Sequence, residues 1–330
     1  EFRRVLFRSG LPTAIVYWPV TVGAQVHWLV PEFWRASNVQ DQKLQRVVST
    51  PGLLDAVARE HPDFWARFVP PAIGDDAITD ISIHVLSTGK PRLLMTHLVE
   101  VDSAQHRYGV DSPEARAAIE KDDAQIARLM RAVEALGLKE ETAFVIASDH
   151  GFRAAPKAIR PCAVLAEAGL LTERAGKLTD WKATVQAHAG AAYVYVAGPT
   201  DEATQRRVRQ LFEAKLAPPG SGISQLYEHE TLVELGGDPA ALFALGASPG
   251  YQFAPGCRGA YEVETGYAAT HGYDPREPDM SASLLMVGPS LPHGKLVGAR
   301  LIDLAPTIAG WLGLSMPSAE GVPLTIVPSP

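Results

Sequence analysis

The chain has 330 residues, 46% of them hydrophobic and 20% charged, with a formal net charge of −7. That is ordinary globular composition, long enough to bury a large core as one large α/β domain or two smaller ones. The acid excess speaks against a binder of nucleic-acid backbone, which needs a basic face, and no apolar run reaches the roughly 18 residues of a membrane-crossing helix.

The first ten residues, EFRRVLFRSG, carry adjacent arginines and join no pattern downstream. They lack the apolar stretch of a signal peptide. They are expected to be a non-native scar, with native sequence starting near Leu11. TAIVYWP then reads as a short buried strand closed by Pro19, and VPEFWRAS as an aromatic turn. Helical spacing follows in Leu53, Leu54, Val57, Phe64 and Phe68, broken by Pro62. A second helix runs from Asp75 to Ser87, with Ile78, Ile81 and Val85 on one side and Lys90-Pro91 at its end.

RLLMTHLVEV, from Arg92 to Val101, is nearly all apolar, as expected of a strand buried on both faces of a parallel sheet, and it stops at Asp102. A long amphipathic helix comes next, opened by Asp111 or Ser112 with Pro113 in its first turn and ended by Gly137; Ile119, Ile126, Met130, Val133 and Leu136 form its apolar stripe. AFVIASDHGF brings another apolar strand, ending on Asp149-His150. Strand, helix and strand together suggest a βαβ crossover.

Beyond His150 the spacing predicts a helix in AVLAEAGLL, a strand in AAYVYVAG, a polar-faced helix capped by Asp201, and a strand then a turn in GISQLYEHETLVELG. Pro and Gly are dense from Pro218 to Gly259. Residues 185–260 are therefore read as an inserted α+β lid subdomain, with 11–184 and 261–330 forming the main α/β domain. SLLMVGPSL resumes a core strand, and LIDLAPTIAGWLGL is a closing helix interrupted by Pro306. Cys162 and Cys257 are the only cysteines; two buried thiols is the preferred reading, one disulfide the alternative.

Three separated pieces carry metal-ligand residue types beside expected loops at a sheet edge, where open α/β sheets collect their chemistry. They are Asp102-x-x-x-His106, Asp149-His150, and His271 in YAATHGYDP. Carboxylate and imidazole together suit Zn²⁺, with Mn²⁺ or Fe as lesser choices. Five such ligands are too many for one tetrahedral ion and about right for most of a pair, which can stabilise attacking and leaving oxygens at phosphorus. Each piece alone is weak, since an Asp or His in a glycine turn is usually only a turn. His27, His61, His84, His97, His188, His229 and His293 lack such context and are taken as structural or solvated, and Glu100 as a supporting group.

The ordered set HLVEVDSAQHRYG, VIASDHGF and THGYDPREPDMSASLLMVGPSL closely resembles the alkaline phosphatase superfamily, in the branch of the type I phosphodiesterases and nucleotide pyrophosphatases. The likeness runs from AIVYWP to LIDLAPTIAGWLGL. It implies an alkaline-phosphatase-like α/β fold, a mostly parallel sheet between helices, and metal-dependent hydrolysis of phosphodiester or pyrophosphate bonds at two zincs. By resemblance Asp102, His106 and His271 hold one zinc, and Asp149 and His150 belong to the other. The family's remaining Asp, its Thr or Ser nucleophile and its phosphate-binding Asn lie upstream of the stretch that AIVYWP resembles and are not in these residues, so the second site is incomplete here and this chain is expected to be inactive. Ala104-Gln105 depart from the family's usual Gly before the metal histidine. The implied substrate is a small phosphoester, nucleotides included, and not a nucleic-acid polymer; a periplasmic or extracellular parent fits.

The alternatives are a phosphonate hydrolase or phosphomonoesterase of the same superfamily, a sulfatase, or a non-catalytic truncated remnant that binds metal. A dinucleotide-binding domain is disfavoured, because neither G-x-G-x-x-G nor G-x-x-x-x-G-K-[ST] occurs.

Overall fold

The structure is a computed structural model that describes residues 2–34, 38–68, 73–174, 177–198, 201–216, 218, 220–289, 291–325 and 327–328. The chain divides into two compact units, one of residues 1–101, 117–147 and 284–330, the other of residues 102–116 and 148–283. The second is wider than the 185–260 segment expected as a lid. Part of the expected aromatic turn, residues 35–37, lies outside the described residues.

In the first unit, TAIVYW forms the strand Thr13–Trp18 at the centre of a three-stranded parallel sheet, between Trp28–Pro31 and Leu93–Thr96. Its β-branched and aromatic residues suit a pleated, buried surface, and all but Trp18 are buried. The helix Asp75–Gly89 buries Ile78, Ile81 and Val85 in the same core, and Leu53–Glu60 adds Leu54 and Val57. Each such side chain contributes about 1.5–3 kcal/mol by leaving water. Residues 2–9, expected as foreign sequence, form a helix that buries Leu6.

Two expectations change here. The apolar run after Arg92 is a strand only over Leu93–Thr96; a helix begins at Glu100 and runs to Tyr108. The reason is a long-range cap. The buried Asp75 carboxylate accepts the backbone N–H of Val99 and of Glu100, each at 2.8 Å, and Glu100 Oε1 accepts the N–H of Asp75 at 3.0 Å. Each helix start is thus satisfied by an acid from the other, an arrangement that local periodicity does not reveal. Glu100 also pairs with Lys121. Second, Phe144–Ala147 does not close a parallel crossover with Leu93–Thr96 but pairs antiparallel with Leu284–Val287. Both strands are only half-buried. A continuous apolar run marks a strand without saying which partner lies beside it.

The second unit is built on an antiparallel sheet in the order Ile223–Glu228, Phe243–Ala247, Ala191–Val196, Ala183–His188. The helix Glu202–Leu216, capped by Asp201 through the Thr204 N–H, lays Val208 and Phe212 on it, and Phe212 meets Phe243 edge-on. A small mixed sheet joins Tyr251–Phe253, Lys157–Ile159 and Glu262–Val263.

Cys162 and Cys257 form a disulfide in this core, which corrects the preferred thiol reading. Composition cannot show that residues so far apart in sequence become neighbours. AVLAEAGLL is helical only over Pro161–Glu167, before Gly169, and Leu171 starts a strand. The turn expected after Glu228 is a short helix, His229–Glu234. Pro306 does not interrupt the closing helix: it sits in the first turn of Leu304–Trp311, where its missing N–H costs nothing.

Candidate functional site

All five residues singled out by the sequence fall in the second unit, and four of them converge. The Nε2 atoms of His106, His150 and His271 lie 3.5, 4.0 and 3.7 Å from one oxygen, Asp102 Oδ1. Asp149, the most exposed of the set, has its carboxylate 3.4 Å from His150 Nε2. Asp102 and His106 are not in a loop, as expected, but one turn apart on the helix Glu100–Tyr108, so the i, i+4 spacing puts both on one face.

Asp149 and His150 follow the strand Phe144–Ala147 after the single residue Ser148. The next residue is glycine because the chain passes close by: a Cβ on Gly151 would stand 2.0 Å from the Asp279 carbonyl oxygen, while its N–H bonds to Met280 O. His271 follows the short strand Ala269–Thr270, which pairs with Arg153–Ala154.

The histidine tautomers follow from their partners. A carbonyl can only accept, so Nδ1–H of His106 donates to Ala269 O and Nδ1–H of His150 to Gly151 O, both at 3.0 Å. With Nδ1 so engaged, each ring presents its Nε2 to the cluster, as a metal-bound histidine requires. Burial first, then the neighbouring His150 and His106, lower the His271 pKa to about 4 against the pull of Asp149. Its ring is therefore neutral at physiological pH. The rings of His150 and His271 stack at 3.6 Å.

Three imidazole nitrogens and a carboxylate are a zinc-type donor set. Tetrahedral bonds of zinc-ligand length set donors about 3.4 Å apart, close to the distances found here. Among the described residues, the group whose donor atoms all lie within 4.8 Å of one another is Asp102, His150 and His271; His106 approaches Asp102 but falls outside that group. That trio cuts across the division implied by the resemblance, in which His150 and His271 belong to different ions.

Sequence reasoning missed the aromatic surround. Phe152 stands against the rings of His106, His150 and His271, and the Tyr267 ring lies 4.6 Å from that of His106. Phe152 was present in the quoted motif, but an aromatic after a metal-type dipeptide reads equally as core. Other histidines meet partners away from this cluster: His84 meets Glu60, His61 meets Asp80, His97 meets Glu32, His229 donates to Ala241 O, and His27 accepts from the Thr13 N–H.

Fold and cluster together define an α/β protein of alkaline-phosphatase-like architecture with a histidine–carboxylate centre. Residues 2–274 match the family model of the type I phosphodiesterases and nucleotide pyrophosphatases, and the chain belongs to that family. A 120-residue stretch is 25% identical to bis(5'-adenosyl)-triphosphatase ENPP4 of Bos taurus, covering 36% of this chain and 26% of that protein. The match thus spans about a quarter of that curated relative's length.

Among solved structures, human ectonucleotide pyrophosphatase/phosphodiesterase 5 superposes with a TM-score of 0.62 at 14% identity, over 97% of this chain and 71% of its own. An inactive variant of the murine protein in complex with AMP gives 0.60 at 17%, over 98% and 72%. These structural likenesses establish the shared fold. Among the described residues, no helix is long and apolar enough to cross a membrane.

Proposed function

We propose that this chain carries metal-holding residues of a metal-dependent hydrolase of phosphodiester or pyrophosphate bonds, one that acts on small nucleotide-type substrates through zinc and a Thr or Ser nucleophile assigned to no residue of this chain. The observation that carries this reading is the convergence of three histidine Nε2 atoms on Asp102 Oδ1, in a chain of a phosphodiesterase family. By the family resemblance Asp102, His106 and His271 would hold one zinc and Asp149 with His150 would serve a second, although the spacing groups His150 with Asp102 and His271. When bound, such ions stabilise charge on the phosphoryl oxygens and lower the pKa of an attacking hydroxyl.

The chain's own residues do the rest of the work assigned here. The carbonyls of Ala269 and Gly151 hold His106 and His150 in the tautomer that keeps Nε2 free. Burial keeps His271 neutral, so it needs no deprotonation before binding. Phe152 packs against three of the rings. Nucleotides are favoured as substrates because one relative is named a bis(5'-adenosyl)-triphosphatase and a structural neighbour was captured with AMP.

The test measures zinc content and the hydrolysis of a chromogenic phosphodiester by the protein, by Asp102→Asn and by His271→Ala. The expected result is zinc bound by the unaltered protein, lost in both variants, with any hydrolysis abolished by a chelator and restored by zinc. Zinc binding indifferent to both substitutions would refute the assignment.

A further inference from the structure

The strands Ala183–His188 and Ala191–Val196 are joined by a two-residue turn, with His188 paired to Ala191 across it and Ala189-Gly190 at its tip. A positive φ at the first turn position alone is the type II′ pattern, in which glycine is the usual first residue. Here the order is reversed. Ala189 carries the left-handed conformation, with φ of 54°, and the glycine comes second. A residue with a Cβ is strained there, so the local rules of turn formation do not account for this sequence.

The His271 loop does. A Cβ at position 190 would lie 2.5 Å from Tyr273 N, 2.6 Å from Tyr273 Cγ and 2.7 Å from the Gly272 carbonyl carbon. Two of these atoms are backbone and cannot swing aside. The close approach serves a hydrogen bond: Gly190 N–H donates to the His271 carbonyl at 3.0 Å. The turn is pinned from behind. Gly190 O accepts from Ala247 N at 2.9 Å, and Ala189 O accepts from Phe253 N at 2.6 Å. The next residues of the loop are tied to Tyr251 of the small mixed sheet and to Tyr227 of the antiparallel sheet. Tyr273 donates its hydroxyl to Tyr251 O at 2.6 Å, and Asp274 accepts from the Tyr227 hydroxyl at 3.1 Å.

We infer that the Ala189-Gly190 turn is a positioning device for the metal-type residue His271, and that the antiparallel sheet bearing it is a fixed anchor of the site rather than a lid. The strain at Ala189 is tolerated because the second turn position must be the one without a Cβ. The inference rests on the metal-site reading proposed above and extends it to residues that touch no metal.

The experiment titrates Zn²⁺ into the full chain and its variants by calorimetry and records the visible spectrum of the Co²⁺-loaded forms. The backbone of Gly190 is not in the left-handed region, so Gly190→Ala tests the close approach alone. It is expected to weaken Zn²⁺ binding about 10–100-fold, the range found when a group supporting a metal ligand is altered, and to shift the Co²⁺ bands. The double variant Gly190→Ala/His271→Ala should bind no more weakly than His271→Ala alone, which a general loss of folding would not produce.

Should Gly190→Ala not fold, Tyr273→Phe removes only the tie to Tyr251 and is expected to shift the Co²⁺ bands in the same direction. If His271→Ala weakens binding while the folded positioning variants bind and absorb as the unaltered chain does, the anchor is overturned and the metal reading stands. If His271→Ala itself changes nothing, the metal reading falls and this inference falls with it.

Discussion

Asp122→Asn should make the first unit less sensitive to pH. Asp122 faces the buried Asp75 from the helix Pro113–Ala135, and its buried Oδ1 has no hydrogen-bond partner among the described residues. Burial and mutual repulsion favour one proton held between two such carboxyl groups. Burial, then the charge and hydrogen bond of Asp75, then Glu100, push Asp122 up to about 8, with Lys121 opposing; burial raises Asp75 as well.

Between about pH 4 and pH 8 the folded chain therefore holds a proton that the unfolded chain releases. Stability from this group is complete below pH 4 and is lost as pH rises through 8, at up to about 1.4 kcal/mol per pH unit. Partial solvent access and sharing with Asp75 reduce the total to about 2 kcal/mol. Asparagine keeps a donor towards Asp75 without a titrating proton, so the variant should match the parent near pH 4 and exceed it by about 2 kcal/mol at pH 8.

Urea unfolding followed by tryptophan fluorescence reads this out. Of the six tryptophans, Trp18, Trp28, Trp34, Trp65 and Trp311 belong to the first unit and only Trp181 to the second. A difference between parent and variant that stays constant from pH 4 to pH 8 would refute the shared proton.

Reduction of the Cys162–Cys257 bond, or its replacement by Cys162→Ser/Cys257→Ser, opens a loop of 95 residues; chain entropy puts the loss at about 4.7 kcal/mol. Chemical denaturation with and without reductant measures it, and coincident curves would contradict the linkage. Phe212→Ala removes a fully buried ring from the core of the second unit and should cost about 3–5 kcal/mol. Thermal melts by circular dichroism test this, and a cost under about 1 kcal/mol would mean that the helix Glu202–Leu216 does not pack as described. Ile78→Ala, buried under the parallel sheet, should cost about 2–5 kcal/mol, visible as an earlier tryptophan transition.

Much of this protein was written locally. Apolar runs marked Thr13–Trp18, Phe144–Ala147 and Leu284–Val287 as strands, and the periodicity of Asp75–Gly89 and Pro113–Ala135 marked helices, because burial on one face imposes its period on any sequence. The residue types Asp102, His106, Asp149, His150 and His271 were legible as metal donors because few other side chains offer such atoms.

What local reading could not supply was everything that depends on which distant segments meet. Glu100 opens a helix because Asp75 caps it from another helix. Cys162 meets Cys257 because two segments of the second unit pack together. Phe144–Ala147 takes an antiparallel partner from near the end of the chain. Gly190 is glycine because Tyr273 passes within van der Waals range of it. Hydrophobic period and donor chemistry are properties of single residues and their near neighbours. Partner choice, capping at long range and close approach are properties of the packed chain, and only the tertiary structure decides them.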